Sequence, residues 1–405
     1  MKFIHRLKLQ GLLSFAPDMP SFELHDLNVL IGPNGSGKSN VIEAIELLRA
    51  TPTDFAAAIR EGGGATEWLW KGETEKRVAG IEIETGSVAA GLRPPNGRPL
   101  RYRLEFLTDN TRVEVFDEAL EEAQPLIGYS DAYFYYRFRK GHPVINTRNP
   151  GEADQQGNGP PRILQRQDLL PDQSVLSQIR DPALYPELTW LGRQFGNIQM
   201  LRDWTLGRYA APRQAQPADL SEDRPLPDYR NLGLILNKIE HDDQMFQKFN
   251  RLLKRFFPRF ERISTKVSSG MMQFYLHEAG LRSPVPATRL SDGTIRFIAL
   301  LTTLLTPSPP PLICIDEPEL GLHPDAVSLV ADLMVEASQR TQLIVATHSD
   351  ALLSALNGKP DSVVACERVG VGTTLRRLDS SLLADLLDAY PLGDLWRMGE
   401  LGANP

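Results

Sequence analysis

Cysteine is nearly absent: Cys314 and Cys366 are the only two in 405 residues, far apart in apolar, strand-like runs. Two such residues cannot frame a disulfide-rich fold or build a zinc site unaided, and they read as buried free thiols of a reducing cytoplasm. Long apolar runs are missing as well. No stretch reaches the roughly 18 residues that a membrane-crossing helix needs. Residues 1–15 mix basic with apolar side chains instead of forming the continuous block of a leader or anchor, so no membrane partner is expected. Positive charge is in deficit, with 44 Lys and Arg against 51 Asp and Glu and a formal net charge of −7. Wholesale attraction to nucleic acid is thereby excluded, and only a local basic patch remains open. What is left, 41% hydrophobic and 23% charged residues, is ordinary globular composition, with length for two or three domains or for one large core carrying an insertion.

Against these absences stands one dense motif. Gly32-Pro33-Asn34-Gly35-Ser36-Gly37-Lys38-Ser39 fits G-x-x-x-x-G-K-[ST] throughout. The apolar run 27–31 before it reads as a strand. After it, Val41, Ile42, Ala44, Ile45 and Leu48 recur at helical spacing. Strand, glycine loop and helix is the setting of a phosphate-binding loop. Its backbone N–H groups turn inward to cradle anionic oxygens, and the positive end of the helix adds to the attraction. The candidate phosphate contacts are Pro33, Asn34, Gly35, Ser36, Gly37, Lys38, Ser39 and Asn40. Lys38 is placed to reach β- and γ-phosphates, and the Ser39 hydroxyl to bind Mg²⁺.

Elsewhere in the first half, runs at 3–12, 22–24, 81–89, 101–107, 112–116 and 132–138 read as strands, the last four local and antiparallel. Residues 146–161 are rich in Gly, Pro, Asn and Gln, which suggests an exposed loop or a boundary. A largely helical stretch then runs to about residue 258, clearest at 186–195 and 232–257. Arg251, Lys254, Arg255, Arg259, Arg262 and Lys266, interleaved with Phe256, Phe257 and Phe260, form a basic run. It suits either a nucleic-acid contact or the solvated face of an amphipathic helix, and the acidic total favours the second.

The chemistry resumes at Leu290-Ser291-Asp292-Gly293, directly before an apolar helix over 295–305. Residues 311–318 then read as a buried parallel strand running into two acids. Asp316 is placed to hold Mg²⁺ through water, and Glu317 to orient or deprotonate the water attacking a γ-phosphate. A crossover helix over 324–338 and a strand over 342–347 deliver His348 to the same sheet edge, where it can bind that phosphate.

These four motifs resemble the ABC-type ATPases of the SMC and RecF group. The strings Glu317-Pro318-Glu319-Leu320-Gly321-Leu322-His323-Pro324 and Leu395-Trp396-Arg397-Met398-Gly399-Glu400-Leu401-Gly402 are similar to those of the short bacterial RecF-like ATPases called AAA-21. The resemblance implies an α/β fold: a RecF/SMC-like head with a phosphate-loop sheet, an antiparallel β lobe and an inserted helical lobe. It divides the chain into residues 1–145, the N-terminal half of the head, an inserted and mainly helical lobe at 146–283, and the C-terminal half at 284–405. It also implies that Ser291 and Gly293 bind the γ-phosphate of ATP held by a second head, so that ATP is sandwiched in a homodimer or higher oligomer. Two positions depart from the group's pattern: Asp292 stands where a second glycine is usual, and His323 where many members have an aspartate. An acid at 292 lies near a polyphosphate, where it either weakens binding or demands a nearby cation. No motif fixes the glutamine that senses Mg²⁺ in this group; Gln178, in Ser174-Val175-Leu176-Ser177-Gln178, is the candidate.

The expected activity is Mg²⁺-dependent ATP hydrolysis in the cytoplasm, driving dimer closure and opening. The expected couplings are to DNA surveillance or to a separate effector such as a nuclease, in anti-phage defence or genome maintenance. The alternative is a nucleotide-gated scaffold in which hydrolysis only resets the state. A nuclease in the same chain is disfavoured, because the tail after His348 is short for one and shows no metal cluster.

Overall fold

The computed structural model describes residues 2–402 except 75–76, 87–92, 110–111, 126, 140–141, 147–160, 165–167, 203 and 205. The Gly- and Pro-rich loop expected over 146–161 falls largely outside this set. In chain order, β1 (Ile4–Gln10), β2 (Phe22–Glu23) and β3 (Leu27–Ile31) lead into α1 (Lys38–Ala50), α2 (Phe55–Glu61) and α3 (Ala65–Trp68). Six strands follow: β4 (Val78–Thr85), β5 (Leu100–Asp109), β6 (Arg112–Glu122), β7 (Phe134–Arg139), β8 (His142–Asn146) and β9 (Pro161–Ile163). Next come α4 (Val175–Gln178), α5 (Pro186–Gly196), β10 (Gln199–Leu201), β11 (Gln216–Pro217), α6 (Leu232–Glu240), α7 (Asp243–Phe256), β12 (Phe260–Ser268), β13 (Met271–Glu278) and β14 (Val285–Pro286). The chain closes with α8 (Asp292–Leu305), β15 (Leu312–Asp316), α9 (Pro324–Ser338), β16 (Gln342–Ala346), α10 (Asp350–Ala355), β17 (Val363–Val369), β18 (Gly372–Arg377), α11 (Ser380–Ala389) and α12 (Leu392–Met398).

The strands form three sheets. The central one has the order β10-β15-β16-β3-β17-β18. Its first five strands are parallel and β18 returns antiparallel. Side chains alternate between two cores, as a strand covered on both faces requires. Val29, Ile313, Ile315, Leu343, Val345 and Ala365 face a core built with α6 to α10 and α12. Leu30, Leu312, Cys314, Ile344, Val364 and Cys366 face the other, shared with α1, α2, α5 and the antiparallel sheet. Both cysteines are free and buried there, and burial pushes their thiols up. The antiparallel sheet is eight-stranded, in the order β2-β1-β4-β5-β6-β7-β8-β9. Gln342 clamps the two sheets together: its Oε1 accepts from the Ile4 amide (2.9 Å) and its Nε2 donates to the Ile4 carbonyl (2.8 Å).

Segment 146–283 holds helices α4 to α7, and it holds strands too. β10 joins the central sheet beside β15. β12 and β13 pair in a hairpin extended by β11 and β14. Periodicity alone does not reveal that hairpin, whose turn is made by Ser269 and Gly270, both at positive φ, 52° and 73°. The basic run is therefore split. Arg251, Lys254 and Arg255 lie on α7, while Arg262 and Lys266 lie on β12 and Arg259 between them. It is not one helical face, although its side chains are exposed.

Gln342→Met should leave the buried Ile4 amide and carbonyl without these partners, costing about 2 kcal/mol or more. Urea unfolding checks this, and an unchanged midpoint would mean that the clamp is dispensable.

Candidate functional site

In a parallel sheet, loops leaving the carboxyl ends of the strands meet along one edge. Here β3 delivers the phosphate loop, β15 delivers Asp316 and Glu317, β16 delivers His348, and β10 delivers Arg202.

The phosphate loop is held open by its surroundings. Gly37 caps α1 at φ 101°, and no side chain caps the helix, so its first-turn amides stay free for an anion. A Cβ at Gly37 would stand 2.5 Å from Thr373 Oγ1 and 2.7 Å from Ser14 Oγ, so only glycine fits. Thr373 Oγ1 bonds both Ser14 Oγ (2.7 Å) and the Ser36 carbonyl (2.9 Å), and Asn40 Nδ2 donates to Ser14 Oγ (2.8 Å). Ser14, Asn40 and Thr373 thus pin the loop between β18 and the N-terminal segment. Ser36 Oγ is buried with no partner among the described residues, which suits a loop shaped around an added ligand. Lys38 is buried, and its Nζ donates to the carbonyls of Gly32 (2.7 Å) and Pro33 (3.0 Å). Burial holds its ammonium below the usual lysine range, opposed by the charges of Asp316 and Glu317.

Two acids face this lysine. Asp316 ends β15; burial raises its carboxyl, while Arg202 pulls it down. Arg202 Nε lies 3.9 Å from Asp316 Oδ2, and the guanidinium also pairs with Glu43 and Glu46 of α1. Trp204 Nε1 donates to the Asp316 carbonyl (3.0 Å). Glu317 adopts φ 48°, a conformation that side chains other than glycine seldom take, and its amide extends the ladder to the Ala346 carbonyl (2.9 Å). Such strain of about 1–3 kcal/mol persists where surrounding bonds over-determine it, most often at working sites. His348 is exposed, and partial burial with the nearby Lys38 charge holds its imidazole below the usual range, neutral near pH 7.

The fit to Mg²⁺ follows from the donor set. The Ser39 hydroxyl and the Asp316 carboxylate are hard oxygen ligands, which suit a small cation that takes its remaining oxygens from phosphate and water. Among the described residues no cluster of three His, Cys, Asp or Glu could cage a metal by protein alone. When bound, the ion would neutralise phosphate charge; Ser39 and Asp316 would hold it. Gln178 does not join them. Its Oε1 accepts from the Leu170 amide (2.6 Å) and its Nε2 donates to the Gln173 carbonyl (3.0 Å), so the amide is spent on its own loop. The neighbouring Arg180 reaches the Pro52 carbonyl, just past the C-terminal end of α1. That places the Arg180 segment beside the C-terminal end of α1, whose opposite end carries the phosphate loop. The residue that the sheet carries to Asp316 is Arg202, a lone arginine after a three-residue strand that no motif announces.

The second candidate anion site opens α8. Ser291 caps the helix, its Oγ accepting from the Thr294 amide (3.1 Å). Gly293 packs against the loop after the acids: a Cβ there would meet the Gly321 carbonyl at 2.6 Å. Asp292 has a cation beside it, Arg213. Its guanidinium, 4% exposed, pairs with the 69%-exposed Asp292 carboxylate and also donates to the carbonyls of Leu206 (2.8 Å), Ala287 (3.4 Å) and Leu290.

A parallel sheet of this order, with phosphate loop, acid pair and histidine on one edge, defines an ABC-type ATPase of the SMC and RecF-like group. The family model AAA_21, described as "AAA domain, putative AbiEii toxin, Type IV TA system", matches residues 27–354, and the chain belongs to that family. Solved structures share the fold. An Smc head bound to the C-terminal winged-helix domain of ScpA is 17% identical with a TM-score of 0.58, over 94% of this chain and 99% of that one. An Smc head with an extended coiled coil, bound to the C-terminal domain of ScpA and derived from Pyrococcus furiosus, is 15% identical with a TM-score of 0.58, over 96% and 99%. The Smc head with a coiled coil and joint derived from Pyrococcus yayanosii is 13% identical with a TM-score of 0.52, over 96% and 99%. No curated protein matches the sequence. No helix among the described residues is long and apolar enough to cross a membrane.

Replacing Arg213 with Met should cost about 3 kcal/mol or more, since several buried acceptors lose their donor. Asp292→Asn should cost less than about 1 kcal/mol, because the carboxylate is mostly in water. Equal losses in urea unfolding would mean that the carboxylate, and not the backbone, holds the guanidinium.

Proposed function

We propose that this protein hydrolyses ATP with Mg²⁺, closing a homodimer around the nucleotide and coupling that cycle to DNA surveillance or to a separate effector. The observation that carries the reading is Lys38, a buried ammonium parked on two loop carbonyls within electrostatic reach of Asp316 and Glu317. The β- and γ-phosphates offer it stronger acceptors than the carbonyls of Gly32 and Pro33. Glu317 orients or deprotonates the attacking water, and His348, neutral, donates to the γ-phosphate. Ser291 and Gly293, with the α8 amides, complete the site from the opposite protomer. The Smc heads similar in fold to this chain bind ScpA domains, which supports an effector on a head of this shape. Defence against phage or genome maintenance is the setting we assign, on the family's likeness.

Lys38→Ala should abolish nucleotide binding in equilibrium titration, because the lost charge faces the phosphates in the ground state. Glu317→Gln should keep the affinity within about threefold while lowering kcat by about 100-fold or more, because the acid acts on the water. Wild-type turnover in Glu317→Gln would remove Glu317 from its role.

Because one head carries a single copy of each motif, Ser291→Arg and Lys38→Ala should each be inactive alone. Mixed, they should regain partial phosphate release through a heterodimer joining Lys38 of one chain to Ser291 of the other. Full activity of monomeric Ser291→Arg would contradict the composite site.

A further inference from the structure

The loop between the acid pair and α9 has a carboxylate that the mechanism above does not use. Glu319 Oε1 accepts two hydrogen bonds, from Thr347 Oγ1 (2.7 Å) and from the backbone amide of His348 (3.1 Å). Thr347 is itself anchored, its amide bonded to the Leu30 carbonyl (3.1 Å) and its Oγ1 accepting from the Ser349 amide (3.0 Å). One oxygen of Glu319 therefore fixes the three residues that present His348. The other oxygen, Oε2, is buried without a partner among the described residues. Holding a carboxylate in this buried place carries a desolvation cost, which its bonds to Thr347 and His348 offset. Burial pushes the group up, and the charge of Glu317 adds to the effect.

The same loop reaches in two further directions. The Leu320 amide bonds back to the Glu317 carbonyl (3.1 Å), closing the turn that holds Glu317 at its positive φ. The Leu320 carbonyl accepts from Arg296 of α8, whose guanidinium also lies 4.7 Å over the Trp204 ring. Trp204 in turn bonds the Asp316 carbonyl. Glu319 thus stands where the segments bearing Glu317, His348 and the Ser291 helix are tied together.

We propose that Glu319 is a positioning residue of the hydrolytic site, holding the His348 backbone in register with Glu317 through Oε1. The proposal rests on the ATPase reading, but the bond it invokes is measurable without turnover. Glu319→Gln keeps an acceptor at Oε1, whereas Glu319→Ala removes it and Glu319→Asp, a methylene shorter, withdraws it.

The experiment combines amide hydrogen exchange over residues 343–352, equilibrium titration with a fluorescent ATP analogue, and steady-state phosphate release. In Glu319→Ala the His348 and Ser349 amides should exchange about tenfold faster or more, with the remainder of the sheet unchanged. Nucleotide affinity should stay within about twofold while kcat falls about 10- to 100-fold. Glu319→Gln should remain within about threefold of wild type on all three measures. Glu319→Ala combined with His348→Ala should turn over no more slowly than the worse single variant, since both act through one group. Unchanged exchange at 347–349 in Glu319→Ala overturns the proposal, and so does an affinity loss equal to the loss in kcat. If the wild-type protein releases no phosphate, the ATPase reading fails separately, and the exchange comparison still decides whether Glu319 holds His348. Should Glu319→Ala exchange faster throughout the sheet, Glu319→Asp makes the same comparison in a fuller side chain: fast local exchange supports the proposal and wild-type exchange overturns it.

Discussion

A lysine ammonium taken out of water, with two carboxylates in its field, is the constraint around which this head is arranged. Lys38 cannot be buried at the first turn of α1 unless something accepts its protons, and the carbonyls of Gly32 and Pro33 do so. For those carbonyls to turn toward it, the loop must wind through conformations that glycine alone permits, which sets the spacing of the motif. The loop in turn needs a rigid floor. Thr373, Ser14 and Asn40 provide it from two other parts of the chain, so the site forms only when residues more than 300 positions apart have come together. The acids that complete the field arrive on β15, two strands from β3, with β16 between them.

What could be read beforehand divides along a physical line. The elements at 27–31, 311–318, 324–338 and 342–347 are legible because parallel strands covered on both faces are apolar throughout, and because a helix opening with proline after a capping residue marks its own start. The hairpin β12–β13 is obscured by basic and aromatic residues shared between two elements. Gln178 is the opposite case: it stands in a short motif-like string, but its amide is occupied within its own loop at the far end of α1.

The residues that no motif reveals are those whose roles depend on distant partners. Arg213 is 79 positions from Asp292, and Arg202 is 114 from Asp316; the first ends a three-residue 3-10 helix and the second follows a three-residue strand. The acid at 292, where the group's pattern has glycine, is matched by a counter-charge that the fold provides from Arg213. Glu319 lies within a legible string, yet its partners on the following strand appear only in three dimensions. The loop it belongs to touches the histidine segment and the Ser291 helix alike.

The central claim is that Lys38 and its loop form a site for polyphosphate. Calorimetric titration of ATP, ADP and AMP into the wild-type protein with Mg²⁺ tests it most directly. Because the ammonium and the α1 amides engage the β- and γ-phosphates, ATP and ADP should bind and AMP should bind at least about 100-fold more weakly. Equal affinity for all three nucleotides would contradict the account.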